Sequence, residues 1–204
     1  MKNCLLLCVA VLALAVGVPA SAQYMFIDVN GDGMCTSADV VGPGTTSVSL
    51  WLATNKDING GDVVCPTGED LTMNSYTFIL RSTGGVTYGA WTSNPVLGFG
   101  TNLGTGLAGN DRWVGRGSGT ALPPDTYLLG SQAITVTTAT QLSIVASTSG
   151  FAGALTSFGS QCVGLEGINT MKLGVDWFDV CGTTGGTPVT ETTWGKIKAL
   201  YKGN

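Results

Sequence analysis

Short segments with alternating apolar and polar residues recur along this chain, separated by turns rich in glycine or proline. In segment 47–54, Val48, Leu50 and Leu52 share one face, whereas Trp51 lies on the other. A period of two residues is typical of a strand that is buried on one side. The other predicted strands are 24–29, 71–81, 86–91, 127–130, 132–138, 141–147 and 171–180. The pattern predicts an all-β fold, an immunoglobulin-like or jelly-roll β-sandwich over residues 23–181.

Residues 92–120 interrupt this alternation because eight of them are glycines. We interpret this segment as a long irregular loop, a kind of segment that is often functional. Trp113 lies in it beside two of the few cations of the domain, Arg112 and Arg116. An exposed indole stacks well on a sugar ring, whereas Trp91 and Trp177 lie on predicted strands and are assigned to the core. Trp113 is therefore the predicted ligand-binding aromatic residue.

Oxygen-bearing side chains alternate within residues 28–39, around two glycines at positions 31 and 33. A calcium loop of the EF-hand type takes oxygens from its positions 1, 3, 5, 7, 9 and 12 and needs glycine at position 6. With Asp28 as position 1, Gly33 falls at position 6. The predicted ligands are Asp28, Asn30, Asp32, the backbone carbonyl of Met34, Thr36 and Asp39. The spacing predicts a Ca²⁺ site that stabilises the N-terminal part of the fold. The alternatives are an acidic turn without metal and a regulated calcium sensor, which the lack of a paired EF-hand disfavours.

The loop resembles the calcium loop of dockerin modules, which also carry aspartate at position 12. The resemblance covers about twelve residues. A dockerin has a second loop and amphipathic helices that bind cohesin, but here residues 42–44 read Gly-Pro-Gly and end any helix. The cohesin-binding function is therefore not implied. A second resemblance, to cohesin and carbohydrate-binding sandwiches, is carried by residues 74–80 and 123–129 and implies a non-catalytic domain.

The chain begins with a basic residue, an apolar run and a small-x-small motif, as a secretory signal peptide does, and cleavage is predicted after Ala22. We expect a secreted or cell-surface protein without a transmembrane segment in its mature form. The formal net charge of −4 disfavours nucleic acid as a partner. Histidine is absent, which excludes histidine-dependent catalysis and histidine-based zinc sites.

Four cysteines remain after the signal peptide, which predicts two disulfides in an exported protein. Three pairings are possible, and we favour Cys65–Cys162 with Cys35–Cys181 because the first two lie in similar polar loops and the others flank the domain. Each would stabilise the fold by about 3–5 kcal/mol in the chain-entropy description.

The C-terminus divides into a Gly/Thr linker at 182–189 and a basic aromatic tail at 190–204 that is predicted to form a short helix. Its apolar face would comprise Trp194, Ile197, Leu200 and Tyr201. One alternative packs the helix on its own sandwich. The other presents it to export or anchoring machinery, since it resembles tails appended to secreted bacterial proteins.

Two further acidic groups are candidate sites. Asp57, Asn59, Asp62, Glu69 and Asp70 surround Cys65, and we interpret them as a solvated turn rather than a second calcium site. Asp176 and Asp179 are three apart on a predicted strand and so face opposite sides, which disfavours glycoside hydrolysis by this pair.

The sequence therefore predicts an exported, calcium-binding, non-catalytic module with a structural or adhesive role at the cell envelope or extracellular matrix. Its partner would be a polysaccharide or a cell-surface protein. A carbohydrate-binding module is the alternative, and a glycoside hydrolase a distant third.

Overall fold

The computed structural model describes residues 23–34, 36, 38–57, 61–65, 68–148, 150, 154–160 and 168–169 of the 204-residue chain. The predicted signal peptide 1–22, linker 182–189, C-terminal tail 190–204 and strand 171–180 lie outside the described residues.

Ten β-strands and one short 3₁₀ helix, Pro95–Leu97, make up the described secondary structure. The strands are β1 (Gln23–Asp28), β2 (Ser47–Asp57), β3 (Met73–Ser82), β4 (Val86–Ser93), β5 (Thr101–Ala108), β6 (Asp111–Leu122), β7 (Thr126–Val136), β8 (Leu142–Val145), β9 (Ser157–Gly159) and β10 (Ile168–Asn169). No helix in this described part is long and apolar enough to cross a membrane.

The strands form two antiparallel sheets. The first sheet has the order β1-β2-β7-β4, and the second has the order β10-β9-β3-β6-β5. Strand β8 also belongs to the second sheet, because β8 and β9 pair with successive parts of the same edge of β3. The inner faces of both sheets form one apolar core, with Leu50 and Leu52 from the first sheet and Phe78 and Leu80 from the second fully buried. The predicted all-β sandwich is confirmed.

The faces predicted for β2 are also confirmed. Val48, Leu50 and Leu52 are buried in the core, and Trp51 lies on the outer face, where its ring stacks on that of Phe26 in β1. The ring centroids are 6.0 Å apart and the ring planes differ by 4°. Predicted core residue Trp91 is buried and packs edge-to-face on Phe78.

The prediction of an irregular loop over residues 92–120 is wrong. After the 3₁₀ helix, this segment forms β5 and most of β6, and β5 pairs from end to end with residues 111–117 of β6. Gly104, Gly115 and Gly117 lie within these strands, under larger side chains of the neighbouring strands. A Cβ on Gly104 would lie 2.4 Å from the Trp113 ring, and the φ angle there is +142°. Glycine is thus required where the indole lies on the backbone.

The two strands predicted at 127–130 and 132–138 are one strand, β7. The register between β2 and β7 shifts between Leu50 and Trp51, opposite Gly130. This bulge lets the strand continue through the residues that looked like a break in the sequence.

Candidate functional site

The loop at 28–39 begins where β1 ends, and its first residue is buried. Asp28 is 2 % exposed. Its Oδ1 accepts a hydrogen bond from the Gly31 amide at 2.6 Å, and its Oδ2 accepts one from the Gly33 amide at 3.0 Å. Gly31 and Gly33 have φ angles of 80° and 74°, a conformation that favours glycine. The carboxylate thus holds the backbone in a tight curve around itself, including the sharp turn predicted at position 6.

Asp39 closes the same loop from its other end and is fully buried. Its Oδ1 accepts from the Val29 amide at 2.7 Å, and its Oδ2 accepts from the Thr36 amide at 3.0 Å. The Thr36 hydroxyl also reaches Oδ2, at 3.5 Å. Positions 1 and 12 are therefore brought to one place, because the Asp39 carboxylate binds the residue that follows Asp28.

The predicted ligands between these ends lie at the surface. Asn30 Oδ1 accepts from the Asp32 amide at 3.0 Å, and Asp32 Oδ1 accepts from the Met34 amide at 2.8 Å. These are two consecutive Asx turns. The Asn30 side-chain amide donates to Asp32 Oδ2 at 2.9 Å. The Met34 side chain is 57 % exposed and carries no oxygen, so the ligand predicted at this position is the backbone carbonyl.

Trp51 attaches the loop to the outer face of the first sheet. Its indole N–H donates to Asp28 Oδ2 at 3.2 Å, and a Cβ on Gly33 would lie 3.3 Å from its ring. The loop spacing does not predict Trp51 as part of this site. The alternation of β2 placed it on the correct face, but only the pairing of β1 with β2 brings it beside Asp28.

The donor set has the hard oxygens that Ca²⁺ prefers. Asp28 Oδ1 and both Asp32 oxygens each accept one hydrogen bond and keep a second lone pair, whereas Asp28 Oδ2 and both Asp39 oxygens accept two each. Within the described residues, neither Asp28 nor Asp39 forms an ion pair with lysine or arginine. In the same part of the chain, no group of three or more Asp, Glu, Cys or His side chains lies close enough to hold a metal ion. The loop is instead held by its own backbone N–H groups, and calcium binding there remains a prediction.

Trp113 lies on β6 and is partly buried, with its six-membered ring over Gly104 of β5. Trp113 pairs with Ile79 in the β3–β6 register, while Arg112 and Arg116 pair with Leu80 and Tyr76 of the core face. Alternation along β6 therefore places Trp113 on the outer face and both arginines between the sheets. The aromatic and cationic residues that the sequence grouped together are separated by the sheet.

Asp111 shares the outer face with Trp113 and forms a bidentate ion pair with Arg81. The Nε–Oδ1 and Nη2–Oδ2 distances are 2.7 and 2.8 Å, and the Thr148 hydroxyl also donates to Oδ2. These contacts, the Arg81 hydrogen bonds first, hold the pKa of Asp111 below its ordinary value although burial acts in the opposite direction. This pair joins β3 to the start of β6.

The second acidic cluster lies at the surface. The Asp62 side chain is 82 % exposed and pairs with Lys56. Asp62 and Asp70 line a cleft of about 450 Å³ together with Asn55, Val63, Val64 and Pro124. Asn59 and the side chain of Asp57 lie outside the described residues, as do Asp176 and Asp179. The interpretation as a solvated turn remains a prediction.

Cys65 is buried and takes part in a disulfide. Its partner is not among the described residues, since Cys35, Cys162 and Cys181 all lie outside them. The pairing of Cys65 with Cys162 and of Cys35 with Cys181 therefore stays a prediction.

Comparisons of this chain with protein-family models, with curated proteins and with solved structures found no match. The resemblances to dockerin loops and to cohesin or carbohydrate-binding sandwiches therefore rest on the residues that suggested them. What the chain does has to be argued from its own side chains.

Proposed function

We propose that this chain is an exported, non-catalytic β-sandwich whose loop 28–39 binds Ca²⁺ and which serves as a structural or adhesive module of the cell envelope or extracellular matrix. One observation carries the proposal. The loop gathers two carboxylates, Asp28 and Asp39, at 2 % and 0 % exposure, and no cationic side chain of the described residues pairs with either. Buried charge of one sign favours the binding of a counter-ion.

The residues that would hold the ion are those of the loop: Asp28, Asn30, Asp32, the Met34 carbonyl, Thr36 and Asp39. A bound Ca²⁺ would neutralise the carboxylates and join the two ends of the loop to the turns between them. The loop follows β1 directly and contacts Trp51 of β2. Binding there would therefore stabilise the edge of the first sheet, which supports a structural rather than a sensing role.

The absence of histidine from the chain supports a non-catalytic role, and the leader-like residues 1–22 support export. The proposed partners are a polysaccharide or a cell-surface protein. A second proposed partner is export or anchoring machinery that recognises the tail 190–204.

A carbohydrate-binding module is the second candidate, because Trp113 presents a partly exposed indole on the outer face of the second sheet. The ring lies on Gly104 and is flanked by Gly106 in the neighbouring strand, so no bulky side chain of these two residues stands beside it. A neutral polysaccharide that quenches tryptophan fluorescence in the wild type and not in Trp113→Phe would support this candidate.

The calcium proposal is tested by thermal unfolding of the secreted protein in Ca²⁺ and in a chelator. We expect a higher melting temperature in Ca²⁺ and a smaller rise in Mg²⁺, which demands a more rigid octahedral site. Asp32→Ala removes an exposed ligand, so it should lose the Ca²⁺-dependent rise while unfolding near the wild-type temperature in chelator.

The matched control is Asp125→Ala. Asp125 is also an exposed aspartate whose carboxylate accepts a nearby backbone N–H, from Thr126 at 2.7 Å, but it lies outside the loop. This variant should keep the full calcium response. Identical melting temperatures of the wild type in Ca²⁺ and in chelator would overturn the proposal.

A further inference from the structure

Arg112 and Arg116 extend from β6 into the space between the two sheets. Arg112 Nε donates to Gln132 Oε1 of β7 at 3.3 Å. Arg116 Nε donates to Ser93 Oγ of β4 at 3.2 Å. Both acceptors belong to the first sheet, whereas the arginines belong to the second. The two guanidinium groups, four residues apart on one face of β6, therefore both contact the first sheet on its β4 side.

The partners of both guanidinium groups are neutral. Besides Ser93, Arg116 donates to Asn102 Oδ1 and the Gly115 carbonyl, at 2.6 and 2.7 Å. The two ion pairs present among the described residues use Lys56 and Arg81, so no carboxylate of this part of the chain neutralises Arg112 or Arg116. Burial, and then the charge of Arg116, lowers the pKa of Arg112. The pair thus concentrates positive charge in a chain whose net charge is negative.

Several guanidinium nitrogens remain available for a ligand. An arginine carries five N–H donors. Among the described residues, Arg112 donates only through Nε, and Arg116 donates through Nε and Nη1. Nη1 and Nη2 of Arg112 and Nη2 of Arg116 have no acceptor in this part of the chain. Planar donor pairs of this kind match the two oxygens of a carboxylate or a sulfate group.

Strand β5 forms an open ledge beside this pair. Thr105 and Leu107 pair with Val114 and Arg112, so they lie on the inner face of the second sheet. Both are nevertheless exposed, Leu107 to 57 %. Within the described part of the chain, the first sheet ends at β4, and none of its strands covers the inner face of β5. The ledge therefore offers hydroxyl, amide and apolar groups next to the two arginines, in an open surface rather than a closed pocket.

We propose that Arg112 and Arg116 bind an oxyanion group, a carboxylate or a sulfate ester, of an acidic polysaccharide that lies along the β5 ledge. An open surface can bind an extended polymer along its length while the charged side group of the polymer reaches the arginines. Asn102 and Thr105 suit sugar hydroxyls, and Leu107 suits the C–H face of a sugar ring. The inference names a ligand class for the adhesive function proposed above and rests on that function, but it is independent of calcium, since the loop lies at the opposite edge of the first sheet.

The test compares the binding of the secreted protein to dextran, carboxymethyl dextran and dextran sulfate, which share one backbone and differ in charge. We expect binding to one or both charged polymers and not to dextran, with an affinity that falls as salt is raised. Arg112→Gln and Arg116→Gln should each lower the affinity about tenfold or more, as expected for loss of a charge-assisted hydrogen bond. The polymer that binds best identifies the oxyanion.

Lys56→Gln is the matched control, because it removes one positive charge from a surface ion pair on β2 and should leave the affinity unchanged. Arg112→Lys and Arg116→Lys keep the charge but lose the planar donor pair, and they serve if a glutamine variant fails to fold. Failure to bind either charged polymer, equal binding of dextran, or an equal loss in Lys56→Gln would each overturn the proposal. Melting in Ca²⁺ and in chelator, measured on the same samples, reports separately on the calcium loop.

Discussion

The carboxylates of loop 28–39 and the guanidinium groups of β6 are two concentrations of like charge that the fold holds in different ways. Asp28 and Asp39 are almost fully buried, and all four of their oxygens accept backbone or side-chain N–H groups. Arg112 and Arg116 are only partly buried and donate to neutral oxygens, and each has N–H groups without an acceptor among the described residues. One charge set closes a loop, and the other lies beside an open ledge.

The fold depends on the two charge sets to different degrees. A carboxylate that accepts several backbone N–H groups organises the chain around it, so its loss leaves buried donors without partners. A guanidinium whose acceptor is a side-chain amide or hydroxyl can be replaced by another polar group with little change to the backbone. We therefore expect the aspartates to control stability and the arginines to control binding.

The largest effect is expected for Asp39→Ala. The substitution leaves the partly buried Val29 and Thr36 amides without their acceptor, which costs about 2–4 kcal/mol in the free energy of unfolding. Urea denaturation in chelator measures it without any contribution from calcium. Asp32→Ala is the control, since this exposed residue should cost about 1 kcal/mol or less. Equal losses for the two variants would show that the buried carboxylate is not what closes the loop.

Asp111 differs from the residues of both charge sets because it forms an ion pair, with Arg81. Arg81 lowers the pKa of Asp111 in the folded protein. Such a group stabilises the fold above its unfolded pKa of about 4, and this contribution is lost as the pH falls through the lower folded pKa.

Asp111→Asn should therefore be less stable than the wild type by about 1–2 kcal/mol at pH 6, and this difference should shrink below pH 4. Urea denaturation of both proteins at a series of pH values measures it. Comparing the two proteins at each pH removes the contribution of all other carboxyl groups. A constant difference from pH 6 to pH 2.5 would exclude the ion pair as its cause.

A smaller effect is expected for Arg112→Gln. The hydrogen bond to Gln132 is lost or replaced, while the unfavourable proximity of Arg116 and the burial of a charge are relieved. The net change in the free energy of unfolding should be below about 1 kcal/mol. Chemical denaturation without polymer provides the measurement. A loss as large as that of Asp39→Ala would contradict the contrast between the two regions and give the arginines a structural role.

The smallest effect is expected for Lys56→Gln, which breaks the exposed pair with Asp62. Surface ion pairs of this kind contribute roughly 0–1 kcal/mol, and here we expect less than about 0.5 kcal/mol. The same denaturation series measures the difference in the free energy of unfolding between the wild type and Lys56→Gln. Raising the salt concentration should abolish this difference. A larger or salt-independent loss would mean that Asp62 supports the cleft beside it through contacts other than charge.

Alternation of apolar and polar residues was enough to predict several strands and the face that each of them buries. Val48, Leu50 and Leu52 were placed in the core correctly because a period of two residues leaves one face for water and one for the interior. The same reasoning failed at 92–120. Glycine carries no side chain, so β5 and residues 115–119 of β6 show little alternation in the sequence. Only the strand pairing shows that Trp113 covers Gly104 of the neighbouring strand.

The surroundings of the charged residues, in contrast, depend on contacts between strands that are far apart in the chain. The loop spacing brought Asp28 and Asp39 together in the prediction, but the pairing of β1 with β2 added Trp51 to them. Arg112 and Arg116 looked like neighbours of Trp113, and the pleat of β6 placed them on the opposite face. Their exposure depends on where the first sheet ends. Strand register and the extent of the facing sheet are contacts between residues far apart in the chain, and no local pattern encodes them.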